Sequence, residues 1–386
     1  MISIRKEIAN RLSYEINRRN ISASQASNLI CIPDEIIKGY LSEKREINFS
    51  EITSICNGFG INPVRFIYSV KYPQPKLAFR NIDFNIQKFA SEIEDIFLLI
   101  EDSLPFINTP KMTRFNNKSY NRNEIITEAA TFASNIQSKY GTPENFISNF
   151  SIPVFPIKSN HVDFDAFIVN NNKHAAICIN ISKPPQRIRF SLAHEIAHLL
   201  FDIDTEVPID VFLPNLYWKT RISENEIPEF FAYKFAEFYL LPYDKIHNVS
   251  KTMPNLNLHE CQEIIDSYGT SKDVLANALF DVININKDFQ NFQIEEFDYQ
   301  ASGGQFRRMD WEEQQDTKKY SHGKTFVNFK EIKTLLNELK NSSEATKVFS
   351  FLENCKKNIT KLIESKSEYY SDKVISHIAE ILKLDL

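Results

Sequence analysis

The chain has 386 residues, of which 42% are apolar and 25% charged, the proportions of a folded, core-forming protein, so disorder as its main state is excluded. Lys plus Arg number 45 against 50 Asp plus Glu, a net charge of -5, which excludes a surface that coats nucleic acid or an anionic membrane all over and leaves only local basic patches. At roughly 150 residues per domain the length allows two or three domains. The five cysteines, at positions 31, 56, 178, 261 and 355, form no CxxC pair; neither a disulfide framework nor a four-cysteine zinc site is expected, and a reducing cytoplasm fits best. The first 19 residues interleave charged and apolar side chains, and no later segment offers about 18 uncharged apolar residues, so neither an export signal nor a membrane span is expected. With 8 Gly, and no GxGxxG or GxxxxGK[ST] pattern, glycine-built phosphate loops are disfavoured.

In chain order, residues 4–20, 22–30, 33–41, 49–58 and 63–68 read as short helices, with Ser22, Asp34 and Asn62 as start signals and Gly58 and Gly60 as stops. Such a set predicts a compact bundle of helix-turn-helix type. SASQASNLI in the position of a first motif helix and PDEIIKGYLSEKREI in that of a reading helix resemble the XRE-type helix-turn-helix domain. In that resemblance Lys38, Lys44 and Arg45 are the candidates for DNA phosphates. Nine basic against seven acidic residues over 1–70 give a charge of only +2, so a bundle used for protein contact is the competing reading.

YPQPKL at 72–77 is the linker candidate. Helical periodicity follows over 85–104, a polar loop over 112–123 and a second helix over 124–140. The runs FSIPVFPI, DAFIV and AAICIN then switch to strand character, the last two forming a hairpin around NNNK at 170–173.

The segment RIRFSLAHEIAHLLF, 187–201, holds His194-Glu195-Ile196-Ala197-His198 in an apolar, proline-free, Ala/Leu-rich stretch. Four residues on a helix return to the same face one turn on, so both imidazoles can point at one metal ion. Glu195, offset by one residue, can take a proton from a water that Zn²⁺ polarises. A third ligand is expected from a neighbouring helix, EIPEFFAYKFAEFYLLP at 226–242, where Glu229, Ala232, Ala236 and Leu240 recur at three- or four-residue steps. The two alanines permit close approach of the helices, which favours Glu229. Glu224, Glu226 and Glu237 compete; the first two precede Pro228, and Glu237 lies about 80° from Glu229 around the helix.

RIRFSLAHEIAHLLF followed by ExxAxxFAxxxLLP resembles the ImmA/IrrE family of metallopeptidases, whose members often carry an amino-terminal XRE-type domain. The resemblance extends over about residues 1–280. It implies an α+β, mostly helical protein with a helix-turn-helix bundle at 1–75 and a zincin-like metallopeptidase core with a small β-sheet at 76–282. Residues 283–386 lie outside the resemblance; helix-spaced apolar residues at 332–339 and 352–363 mark them as a partly helical extension for a sensor, substrate or partner. The resemblance also implies Zn²⁺ held by His194, His198 and Glu229, with Glu195 as general base. The expected activity is cleavage of a specific intracellular protein, a helix-turn-helix repressor, in stress response or mobile-element control.

His161, His174, His247, His259, Tyr239 and Tyr268 are weaker candidates for a transition-state donor. Arg187 and Arg189 are read as pins on the preceding hairpin; 266–282, a small helical cap in the family's layout, is read as core packing. The competing function is a DNA-binding regulator or antitoxin-like component using the peptidase fold as a scaffold. A homodimer is left open.

Overall fold

The computed structural model describes residues 4–19, 21–59, 66, 76–77, 97, 104, 119–158, 165–170, 174–200, 221–223, 226–252, 255–285, 321–322, 325–326, 329–365 and 379. These residues are mostly helical with one small mixed sheet, an α+β protein. No described helix is long and apolar enough to cross a membrane. The chain divides into two units, the first comprising Met1–Asn108, Ser151–Ser182 and Leu352–Leu386, the second Thr109–Phe150 and Lys183–Phe351.

The first unit begins with α1 (Ile4–Arg18), α2 (Ala23–Ile30), α3 (Asp34–Leu41) and α4 (Phe49–Phe59). Leu12, Ala26, Ile30, Ile37, Tyr40, Ile55 and Phe59 close a common core. Each such side chain contributes roughly 1.5–3 kcal/mol by leaving water. Ser22 caps α2 in a reciprocal capping box with Gln25. Asp34 is the first residue of α3, not its cap, which falls on Pro33. Gly58 lies inside α4 and does not stop it: a Cβ there would stand 2.6 Å from the Ile30 Cα and the Leu29 carbonyl oxygen, so glycine permits α2 and α4 to touch. The expected helix at 63–68 and most of that at 85–104 lie outside the described residues.

The sheet of this unit has the order β1-β4-β5-β3, from β1 (Lys76–Leu77), β3 (Val154–Ile157), β4 (Ala166–Asn170) and β5 (Ala175–Asn180). The hairpin β4–β5 is antiparallel, with Ala166 opposite Ile179 and Asn170 opposite Ala175. Strand β3 pairs with β5 in parallel, Val154 opposite Ile177. Every residue of β3 and β5 is buried, which explains why both read as unbroken apolar runs and not as alternation.

In the second unit β2 (Ser119–Asn121) pairs antiparallel with β6 (Arg221–Ser223), Tyr120 opposite Ile222. The expected loop at 112–123 is thereby corrected over its last residues. A strand partnered a hundred positions away leaves no local signature. Asn121 then caps α5 (Arg122–Tyr140) in a capping box with Glu124. Next come α6 (Pro143–Asn149), α7 (Pro185–Leu200), α8 (Ile227–Leu240), α9 (Tyr243–Ser250), α10 (Leu258–Tyr268) and α11 (Lys272–Ile285). Helix α8 packs against both α5 and α7 and is buried on nearly every side, as a helix apolar all round must be. Phe132 of α5 meets Phe231 and Phe235 of α8 at ring-centroid distances of 6.4 and 6.0 Å. After α11 come the short pair β7 (Ser321–His322) and β8 (Thr325–Phe326), then α12 (Phe329–Leu335) and α13 (Lys347–Glu364), whose residues from Leu352 on belong to the first unit.

Candidate metal centre

Helix α7 is buried from Ile188 to Leu200 at every position except Phe190. Its start is fixed by Arg189, whose guanidinium pairs with Glu144 at 2.6 Å and donates to the carbonyls of Tyr268 and Gly269 at 2.6 and 2.7 Å. Arg189 therefore ties α7 to α6 and to the end of α10, and the expected pinning of the hairpin is corrected. Gly269 has φ of 60° at the end of α10, and any Cβ there would collide with the Arg189 guanidinium, so the glycine answers both demands.

His194 and His198 follow one another by a single turn, 2% and 3% exposed. Their Nε2 atoms stand 3.0 Å apart, the rings inclined at 72°. Helix α8 has Pro228 in its first turn, where a missing N–H costs nothing. Ala232 and Ala236 are buried on it, and their small side chains suit a close approach to α7. That approach brings the Glu229 carboxylate 3.4 Å from the His194 Nε2 and 3.1 Å from the His198 Nε2.

The two Nε2 atoms are 3.0 Å apart, and the Glu229 carboxylate turns a different oxygen to each, Oε2 to His194 at 3.4 Å and Oε1 to His198 at 3.1 Å. Two ligand atoms each about 2.0 Å from one tetrahedral metal stand about 3.3 Å apart, so each of these pairs is spaced for a shared ion. Two imidazoles and one carboxylate, on two helices, are a donor set that fits a divalent metal. Burial would raise the Glu229 pKa, but the charge of His198, hydrogen bonds from both imidazoles and the charge of His194 outweigh it and hold the carboxyl well below its ordinary range. Glu195 lies in the turn between the histidines, 5% exposed.

The competitors are placed elsewhere. Glu237 is fully buried and accepts from the Lys234 Nζ at 2.9 Å; that ammonium also reaches Asp281 at 2.6 Å, and Asp281 pairs with Arg122. Glu226 precedes α8 and Glu224 lies outside the described residues. Tyr239, ten residues after Glu229, lies about 15 Å further along the helix axis. With Tyr268 it lines a separate cleft of ≈ 320 Å³ that also includes Gln137, Glu144 and Lys347. His247 stacks on Tyr243 at 5.7 Å, His259 is 83% exposed beside Glu263, His174 belongs to the other unit, and His161 lies outside the described residues. Among the aromatic hydroxyls, the one the sequence reading passed over is Tyr233, whose ring centroid is 6.3 Å from that of His194. Its signal was available in principle, since it stands one turn beyond Glu229.

In the first unit Lys38 is exposed and ion-paired with Asp34 at 2.6 Å, and the hydrogen bond and charge of Asp34 raise its pKa. Arg45 pairs with Glu51 at 3.3 Å and lies 5.9 Å from the Tyr40 ring centroid. Lys44 is exposed beyond the end of α3.

No match was found among curated proteins or among solved structures. Residues 147–280, which contain both histidines, Glu195 and Glu229, match the family model described as IrrE N-terminal-like domain, Peptidase_M78, and over this segment the chain is therefore similar to a metallopeptidase family.

Proposed function

We propose that this chain is a zinc-dependent endopeptidase that cuts a specific intracellular protein, a repressor of helix-turn-helix type, to change gene expression. The observation that carries the reading is the convergence of His194, His198 and Glu229, whose imidazole Nε2 atoms are 3.0 Å apart and face the two oxygens of the carboxylate at 3.4 and 3.1 Å. The family match over 147–280 supports it.

His194, His198 and Glu229 would hold the zinc ion. When bound, the ion supplies Lewis acidity, polarising the scissile carbonyl and lowering the pKa of a nearby water. The Glu195 carboxylate takes the proton of the attacking water and returns it to the leaving amine nitrogen. Holding both histidines and Glu229 on buried helices keeps the donors fixed, and burial of Glu195 limits competing water around the transferred proton. Mass spectrometry of metal content tests this: one zinc per chain in the wild type and in Glu195→Gln, essentially none in His194→Ala, and protein cleavage only in the wild type. Zinc retained in His194→Ala would sink the site.

A second reading is favoured by the α2–turn–α3 arrangement with Lys38, Lys44 and Arg45 all exposed: the amino-terminal helices bind DNA, alone or to bring the peptidase to its substrate. It predicts a retarded DNA complex that weakens steeply with salt and survives Glu195→Gln. A complex insensitive to salt and to Lys44→Ala plus Arg45→Ala would count against it.

A further inference from the structure

Helices α7 and α8 are sealed almost completely, and where they are not sealed is informative. From Ile188 to Leu200 the single side chain of α7 that is not buried is Phe190, and on α8 the two that are not buried are Glu229 and Tyr233. Phe190 stands one turn before His194, and Tyr233 one turn after Glu229. Their rings meet edge to face, centroids 4.9 Å apart at 60°, and the Tyr233 ring lies at 82° to that of His194. The buried Lys234 ammonium lies 5.5 Å from the Tyr233 ring centroid, a cation–π contact.

Among the described residues of the two helices, the partly open positions are therefore one carboxylate at the metal centre and an aromatic pair beside it. An aromatic pair that is partly exposed beside the metal-binding side chains offers apolar area to a group approaching that centre. A protein that needed these rings for packing alone would bury them, as it buries Phe230, Phe231, Phe235 and Phe238 on the same helix. We propose that Phe190 and Tyr233 form the subsite that receives a bulky apolar side chain of the substrate protein, aromatic or branched aliphatic, next to the scissile bond. This rests on the peptidase reading and deepens it: the helices that hold the metal also select the residue beside the cut.

The test uses the zinc-loaded full chain and a library of short peptides randomised position by position, with products identified by mass spectrometry. The wild type cuts beside bulky apolar residues. Phe190→Ala and Tyr233→Ala lose that preference, with kcat/KM for the preferred peptides falling roughly 10- to 200-fold, mostly through KM, the range a single apolar subsite contact gives. Tyr233→Phe, which keeps the ring, retains the preference. Zinc content of one per chain in each variant separates a lost subsite from a damaged metal centre. The proposal is overturned if both alanine variants cut with the wild-type preference, or if Tyr233→Phe abolishes turnover while Phe190→Ala leaves selectivity intact, which would assign the hydroxyl and not the ring. A zinc-loaded wild type that cuts no peptide and no protein overturns the peptidase reading itself, and the subsite with it.

Discussion

Two clusters of buried ionisable side chains share α8, and they differ in what balances them. Lys234 and Glu237 of α8, with Arg122 and Asp281, bring two cations to two carboxylates, so the protein supplies its own counter-charges. His194, His198 and Glu229 instead turn two imidazole nitrogens and a carboxylate toward one another, with N–N and N–O distances of 3.0 to 3.4 Å. The first arrangement is a structural tie between α5, α8 and α11. The second is the kind that a divalent cation completes. Burial of charge alone therefore does not mark a functional site; the sign and convergence of the donor atoms do.

The contrast can be broken first at the metal centre. Glu229→Ala removes one of three donors, and zinc affinity should fall by more than the 10–100-fold that loss of an outer partner typically costs. Calorimetric titration with zinc reads this, and an affinity within a few-fold of wild type would remove Glu229 from the site.

The self-balanced cluster should respond in stability and not in stoichiometry. Lys234→Met leaves the buried Asp281 carboxylate, and Glu237 beside it, without their shared ammonium and should cost about 3–5 kcal/mol in chemical unfolding, while zinc still binds one per chain at low temperature. Combining Lys234→Met with Glu237→Leu should recover much of the loss, since an apolar pair of similar volume replaces a buried ion pair at little cost. If the double variant is less stable than the single one, the cluster is not the self-contained tie described.

The smallest effect concerns pH. Burial pushes the Glu237 carboxyl up to about 8, with Asp281 adding to the rise and Lys234 opposing it. A carboxyl whose pKa is raised in the folded state binds its proton more tightly there. Its contribution is fully present below the ordinary carboxylate range and is lost as pH climbs toward about 8. Asp281 and Glu229, both lowered, act in the opposite sense but only in more acidic solution. The melting temperature should therefore decline between pH 5 and pH 8 in the wild type. Glu237→Gln should flatten that decline, and an unchanged slope would mean that other groups set it.

Local rules made several features of this molecule legible. Capping residues marked the start of α2, the 3.6-residue period marked α7 and α8, and Pro228 marked the first turn of α8. Unbroken apolar runs marked β3 and β5. The strand Ser119–Asn121 was hidden because its partner is Arg221–Ser223, and Gly58 was misread because its neighbour, Ile30, lies on another helix. The roles of Arg189 and Lys234 were equally hidden, since each depends on oppositely charged or carbonyl groups far along the chain.

By itself the sequence determined that His194 and His198 share a helix face with Glu195 between them, because helix periodicity is a property of neighbouring residues. It narrowed the third donor to a few glutamates around α8. Only the tertiary structure decided among them, directing Glu229 to the histidines and Glu237 to Lys234. Only it brought Phe190 and Tyr233 together beside the same donor atoms. Those outcomes depend on the angle and closeness at which two helices pack, set by Ala232, Ala236 and the side chains that surround them, and no local pattern in the chain encodes that angle.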